Sequence, residues 1–317
     1  MRLYEGTVEE FKQEVIDNRI ADIMKQSYID QTGRRFGNES EYRSWQNSLR
    51  VLKDSLDFSG LLKNKIIIEY RLPYNERRID VLLFGRGKDK VDKIVLIELK
   101  QWSNDNVLES DVEGNIWLNS GKHAEHKEHP SLQVEGYVID LEDFLKVFSQ
   151  KPELLLEGCS YCHNYSKKDN AVLLSDKFAV IVKKYPLFSK EDAIAFGGYL
   201  KDRLSIDSGF DVFNRFVNSE IRPSKMLMDH IGKMINEQQI FNLIDSQIAA
   251  YNTIMDRAKK QAAKKEKTVI IVKGGPGTGK SVIALEVMAE LLRKGKKVFH
   301  ATGSSAFTKT LRDIIGK

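Results

Sequence analysis

The stretch KIVLIELKQW, residues 93–102, decides how the rest of the chain is read. Ile94, Val95, Leu96 and Ile97 make a short unbroken apolar run, the pattern of a strand covered on both faces. The run ends in Glu98 and Lys100, two positions apart, so on a strand both charges leave from one face. A carboxylate and an ammonium on a buried strand cost free energy unless they are paired, hydrated or bound to a metal. What holds them there has to come from elsewhere in the chain.

Outward from this stretch, strands are expected at 65–72 and 78–84, joined by the polar turn Pro73-Tyr74-Asn75-Glu76. Two amphipathic helices precede them. One covers 8–31 with Phe11, Val15, Ile20, Ile23 and Tyr28 on one face, and the other runs from about 39 to 56. After a loop containing Gly and His, His129-Pro130-Ser131 opens a helix to about residue 149. Short strands at 171–174 and 178–182 and a helix at 190–204 complete a first domain, 1–205. Residues 206–235, with Arg222-Pro223-Ser224, form a connector. From 236 to 317 come a helix beginning at Phe241, a basic stretch, a strand at 268–273 and a helix from Gly279 to about Lys294. No repeat or low-complexity tract is present.

A chain of 317 residues can bury a sizeable core and suits two domains. Its 41% hydrophobic and 30% charged residues are those of a soluble globular protein. No apolar run approaches the roughly 20 residues of a membrane span, and Met1-Arg2-Leu3-Tyr4-Glu5-Gly6 begins no signal peptide, so a cytoplasmic location is expected. Cys159 and Cys162 are the two cysteines, too few for a disulfide framework. The net charge of +5 is unevenly spread. The segment from Met255 to Lys317 holds 15 of the 50 Lys and Arg and 5 of the 45 Asp and Glu, a net +10, leaving −5 on the rest. A basic end suits phosphate or nucleic acid, while runs such as Lys259-Lys260 also suit a solvated helix face.

The order helix, strand, strand, strand, helix places Asp80 at the start of the second strand and Glu98 and Lys100 at the end of the third. Adjacent strands can gather these groups around one point. Two hard carboxylates suit Mg²⁺ (or Mn²⁺), which keeps several waters and contacts substrate phosphates. A bound cation lowers the pKa of its water and offsets phosphate charge, and a nearby Lys stabilises the transition state. In this arrangement the chain resembles the PD-(D/E)xK nucleases, particularly their RecB-like branch. That branch adds Q-x-x-x-Y on the following helix, here Gln133-Val134-Glu135-Gly136-Tyr137. The resemblance implies that Gln133 and Tyr137 position the nucleic-acid backbone. One departure is Ile79, where the pattern has Pro before Asp80.

The resemblance also implies an acidic metal ligand on the first core helix. Glu41, in phase with Trp45, Leu49, Leu52 and Leu56, fits that place; equally, Asn38 with Glu41 three residues on makes a capping box. Glu69, on the first strand, is left out because alternation could equally expose it. Cys159-Ser160-Tyr161-Cys162-His163 matches a haem-attachment pattern, but without an export signal the two Cys are expected as buried structural thiols. His123, His126 and His129 lack a carboxylate or thiol pattern to complete a zinc site.

GGPGTGKS, residues 274–281, is the most specific motif. Gly274, Gly275, Gly277, Thr278, Gly279, Lys280 and Ser281 fit G-x-x-x-x-G-K-[ST] between a strand and a helix. Backbone N–H groups would cradle the phosphates of ATP, Lys280 would reach the β and γ groups, and Ser281 would hold Mg²⁺. Upstream, FNLIDSQIAAYNTI (241–254) resembles the Q motif of superfamily 1 helicases, in which Gln247 would contact adenine; an amphipathic helix with an exposed Gln is the plainer alternative. KVFHATGSSAF (297–307) is similar to the helicase segment that touches single-stranded nucleic acid.

Together these motifs resemble bacterial nuclease–helicase fusions with a Schlafen-like ATPase domain, some of which act in anti-phage immunity. The implied fold is α/β, with a restriction-endonuclease-like domain followed by the start of a P-loop, RecA-like parallel α/β domain. The implied function is Mg²⁺-dependent hydrolysis of phosphodiester bonds in DNA (or RNA), with DNA the more expected partner, beside an ATP site. A catalytically silent nucleic-acid-binding or nucleotide-binding module that regulates an ATPase is the alternative. The sequence stops at Lys317, before the acidic strand end, second RecA-like domain and arginine finger of a P-loop NTPase. Those parts are expected on a missing C-terminal portion or a partner chain, with little ATP turnover by these residues alone.

Overall fold

The computed structural model describes residues 1–72, 77–119, 124–167, 171–221, 245–264, 268–275, 278–299 and 301. Two units divide the chain, the first ending at Glu220 and the second beginning at Ile221.

The first unit opens with a strand that the sequence pattern does not announce, β1 (Arg2–Thr7), followed by α1 (Val8–Ile16) and α2 (Ile20–Thr32). The single helix expected over 8–31 is therefore two. Asn18 takes a left-handed backbone (φ 57) that no continuous helix allows, and Arg19 restarts the chain. Thr7 caps α1 in a capping box with Glu10. Next come α3 (Glu39–Ser59), β2 (Lys65–Arg71), β3 (Arg78–Arg86) and β4 (Asp92–Lys100), each close to its expected place.

A three-stranded antiparallel sheet, β5 (Val107–Glu109), β6 (Asn115–Asn119) and β7 (Ala124–Glu128), is inserted before α4 (Pro130–Phe144). Strand β8 (Leu154–Cys162) then pairs parallel to β4 and carries both cysteines as buried free thiols. Residues 172–174 form a 3₁₀ turn and Ala179–Lys184 form helix α5, where short strands were expected. Apolar runs this short have no period long enough to separate the two. Strand β9 (Leu187–Ser189), α6 (Ala193–Leu204) and α7 (Phe210–Val217) complete the unit.

The main sheet has six strands in the order β1-β2-β3-β4-β8-β9. Antiparallel pairing from β1 to β4 gives way to parallel pairing at β4–β8 and β8–β9, with α4 in the crossover. Both faces are covered. Ile66, Ile68, Val81, Leu83, Val95 and Ile97 pack against Trp45, Leu49, Leu52 and Leu56 of α3 and against α1, α2 and α6. Ile67, Leu82, Phe84, Ile94 and Leu96 pack against Val134, Tyr137, Val138 and Leu141 of α4 and Val212, Phe213 and Phe216 of α7. Burial on both faces is why β4 is a continuous apolar run.

In the second unit α8 (Asp245–Lys264) packs on α9 (Lys280–Arg293). No strand forms at 268–275. Val269 and Ile271 are 87% and 75% exposed, and a β-strand needs a neighbour to pair with, which the described residues do not supply. The turn 73–76, His123, the connector residues 222–224, the helix start at 241, Gly277 and most of 297–307 lie outside the described residues. No described helix is long and apolar enough to cross a membrane.

Candidate active site

Strand register brings the acids together. Ile68 pairs with Val81 and Tyr70 with Ile79, so Glu69 stands opposite Asp80. Val81 pairs with Ile97, so the next step along the ladder sets Asp80 opposite Glu98, and Glu98 in turn faces Ser160. Glu98 alternates with Ile94 and Leu96, so it and Lys100 leave β4 on the face that α4 covers.

The question posed by Glu98 and Lys100 has a direct answer. Lys100 Nζ lies 2.5 Å from Glu98 Oε1, an ion pair in which both side chains are largely removed from water. The other carboxylate oxygen, Glu98 Oε2, is buried with no hydrogen-bond partner. Asp80 Oδ2 accepts the Leu99 backbone N–H at 2.7 Å, tying β3 to β4 at the mouth of the site. Burial, then the facing Asp80, push Glu98 up to about 8, against the pull of Lys100. Burial raises Asp80 as well, while Lys100 and the Leu99 N–H hold it down. Lys100 is raised despite burial by Glu98 and Asp80, and stays an ammonium.

An orphaned buried carboxylate oxygen beside a second carboxylate fits a hard divalent cation, which takes one or two carboxylates and completes its shell with water and phosphate oxygens. Asp80 and Glu98 are the pair that would hold it. Among the described residues no group of three or more His, Cys, Asp or Glu is arranged to hold a metal ion.

Glu41 engages Asn38 and Arg78. Asn38 Oδ1 accepts the Glu41 N–H at 3.1 Å and Asn38 Nδ2 donates to Glu41 Oε2 at 3.0 Å, the contacts of a helix cap. Its other oxygen contacts Arg78, whose guanidinium also lies 3.4 Å from Glu69 Oε2. Glu69 accepts the Trp45 indole N–H at 2.9 Å and is buried. Its left-handed backbone (φ 55) breaks the strand alternation, and burial followed by Asp80 pushes it up to about 7. Glu69 is the acid that alternation alone left undecided; pairing β2 with β3 places it across from Asp80.

Helix α4 brings the next pair. His129 caps it: Nδ1 accepts the Ser131 N–H at 3.2 Å, Nε2 meets the Leu173 carbonyl at 3.0 Å, and the ring stacks on Phe178. Four residues apart on α4, Gln133 donates to the Tyr137 hydroxyl at 2.6 Å. Burial and the nearby Glu98 raise the Tyr137 hydroxyl pKa, so it stays protonated. Gln133 and Tyr137 line a cleft of about 420 Å³ with Lys100, Trp102, Arg77, Lys127 and Glu128. The structure therefore gathers Asp80, Glu98, Lys100, Gln133 and Tyr137 around one face of β4.

The second unit holds the P-loop. Gly279 has φ +79, the left-handed region, and its Cα faces Gln247, whose Nε2 donates to the Thr278 carbonyl at 3.2 Å. Lys280 Nζ donates to the Gly274 and Gly275 carbonyls at 2.8 and 2.5 Å, and Thr278 Oγ1 to Gly275 O at 2.9 Å. Gln247 thus touches the loop, Lys280 opens α9, and Ser281 is exposed beside it.

Comparison with known families gives two matches. The Nuclease-related domain matches residues 32–163, and the Schlafen group 3, DNA/RNA helicase domain matches residues 267–317. The chain has the domain order of a nuclease–helicase fusion. No curated protein and no solved structure matches it. The nuclease match ends just past β8 and takes in Asp80, Glu98, Lys100, Gln133 and Tyr137. The helicase match takes in Gly274 to Ser281 and leaves Gln247 outside.

Proposed function

We propose that the first unit hydrolyses phosphodiester bonds of nucleic acid, DNA before RNA, with the help of Mg²⁺ or Mn²⁺. The observation that supports this most is the Glu98–Lys100 pair beside Asp80, with Glu98 Oε2 buried and unpartnered. Asp80 and Glu98 would hold the cation, which supplies a low-pKa water and offsets phosphate charge. Lys100 remains charged and stands where it can neutralise a phosphate oxygen. Gln133 and Tyr137 orient the strand from α4, as hydrogen-bond donors that stay neutral at physiological pH.

The second unit, in this reading, binds ATP through Gly274, Gly275, Gly277, Thr278, Gly279, Lys280 and Ser281, with Gln247 against the loop. Service in anti-phage defence, in the cytoplasm, is carried into this reading from the sequence resemblance alone. Labelled single- and double-stranded DNA and RNA, incubated with the chain and Mg²⁺, Mn²⁺ or EDTA, test the reading. Cleavage that needs the metal supports it; tight binding without cleavage under any condition favours a silent nucleic-acid-binding module instead.

A further inference from the structure

Between Gln133 and Tyr137, the surface of α4 is bare at Gly136, and Arg77 fills the space above it. A Cβ at position 136 would lie 2.9 Å from Arg77 Nη2 and 3.1 Å from Nη1, well inside the contact distance of packed atoms. Glycine lets the guanidinium lie against the helix, its carbon 4.6 Å from the Tyr137 ring centroid. Asp140 lies 3.2 Å from Nη1 and Glu128 3.7 Å from Nη2, with 38% of the Arg77 side chain exposed. Exposed pairs of this kind contribute about 0–1 kcal/mol, little enough to be exchanged for a phosphate, which a guanidinium meets in bidentate geometry.

Lys127, on β7 of the inserted sheet, lines the same cleft, with an exposed contact to Glu125 at 2.9 Å. Trp102, which carries Lys100 Nζ 5.1 Å from its ring centroid, supplies an apolar wall. Neither Arg77 nor Lys127 belongs to the D…E-x-K set, yet both open into the cleft shared by Lys100, Gln133 and Tyr137. A nucleic-acid strand carries a phosphate at every nucleotide, so a strand lying across Lys100 brings neighbouring phosphates within reach of two more cations.

We propose that Arg77 and Lys127 form a phosphate subsite that takes a backbone phosphate adjoining the one cleaved. Gly136 leaves the room that Arg77 occupies there. The subsite rests on the nuclease reading for its purpose, but its occupancy can be measured without cleavage.

The full chain carrying Asp80→Asn is titrated against a fluorescent single-stranded DNA oligonucleotide, and separately an RNA one, at several salt concentrations. Arg77→Ala and Lys127→Ala should each weaken binding about three- to tenfold and lower the salt slope by roughly one phosphate contact. Arg77→Lys should restore most of the slope. Gly136→Ala removes no charge and shifts only the flexible end of Arg77, and should weaken binding less than Arg77→Ala does, with the salt slope kept. Arg19→Ala removes the same charge from a residue paired with Glu14 and Asp17, and should leave the slope unchanged. Wild-type affinity and slope in either Arg77→Ala or Lys127→Ala overturn the subsite. A chain with Asp80 intact that binds but never cleaves overturns the nuclease reading alone.

Discussion

The ring of His129 stacks on that of Phe178, with centroids 4.1 Å apart and planes 22° from parallel. The contact buries His129 completely at the first turn of α4, and burial depresses its pKa to about 4. The helix that presents Gln133 and Tyr137 is therefore seated by a neutral imidazole.

A neutral buried His makes stability depend on acid. The unfolded chain binds the proton near pH 6.5 and the folded chain only near 4, so this stability is present above 6.5 and is lost as pH falls toward 4. The shift corresponds to on the order of 3 kcal/mol. Thermal melts of His129→Asn, which keeps a capping oxygen, should show a shallower fall between pH 6.5 and 4 than the wild type, from a lower starting stability. Parallel curves would mean that His129 is not the titrating group.

Gln133 and Tyr137 are separable from the acids. Replacing both with Ala should lower kcat/KM for cleavage about tenfold or more through strand positioning. Calorimetry should find divalent-cation binding unchanged, since the Gln133 amide and the Tyr137 hydroxyl pair with each other. Lost cation binding would give them a different role.

Glu41 is tested by the same calorimetry. Both its oxygens are taken, by Asn38 and Arg78. Glu41→Ala should cost about 1 kcal/mol of stability through the lost cap and ion pair, with cation affinity within about twofold of wild type. A much larger fall in affinity would make Glu41 a ligand.

The P-loop prediction concerns nucleotide alone. Lys280→Ala should abolish ATP binding measured by calorimetry, and Gln247→Ala should weaken ATP while leaving GTP unchanged, since the Q-motif resemblance gives Gln247 the adenine in addition to its contact with Thr278. Equal losses for both nucleotides would make Gln247 a support for the loop and not a reader of the base.

Strands β2 to β4 and the D…E-x-K spacing were legible because each strand is buried on both faces and keeps an unbroken apolar run. Strand β8 was not: Glu157, Gly158 and Ser160 interrupt its run, and its place is set by parallel pairing with β4, a contact between distant residues. The same holds for Glu69. Alternation along one strand could not say which way it faced, and its left-handed φ would have defeated the count even so. Asn18 broke a helix that hydrophobic phase alone carried straight through. The P-loop is a local motif and was read from its own residues, whereas the strand expected before it needs a partner to pair with.

The most direct measurement is cleavage of labelled single- and double-stranded DNA by the wild-type chain and by Asp80→Asn and Lys100→Ala, in Mg²⁺ and in EDTA. The account predicts cleavage by the wild type in Mg²⁺ alone, no cleavage above background by either variant, and retained folding and DNA binding in both. Full activity in Asp80→Asn or Lys100→Ala, or equal activity in EDTA, would contradict it.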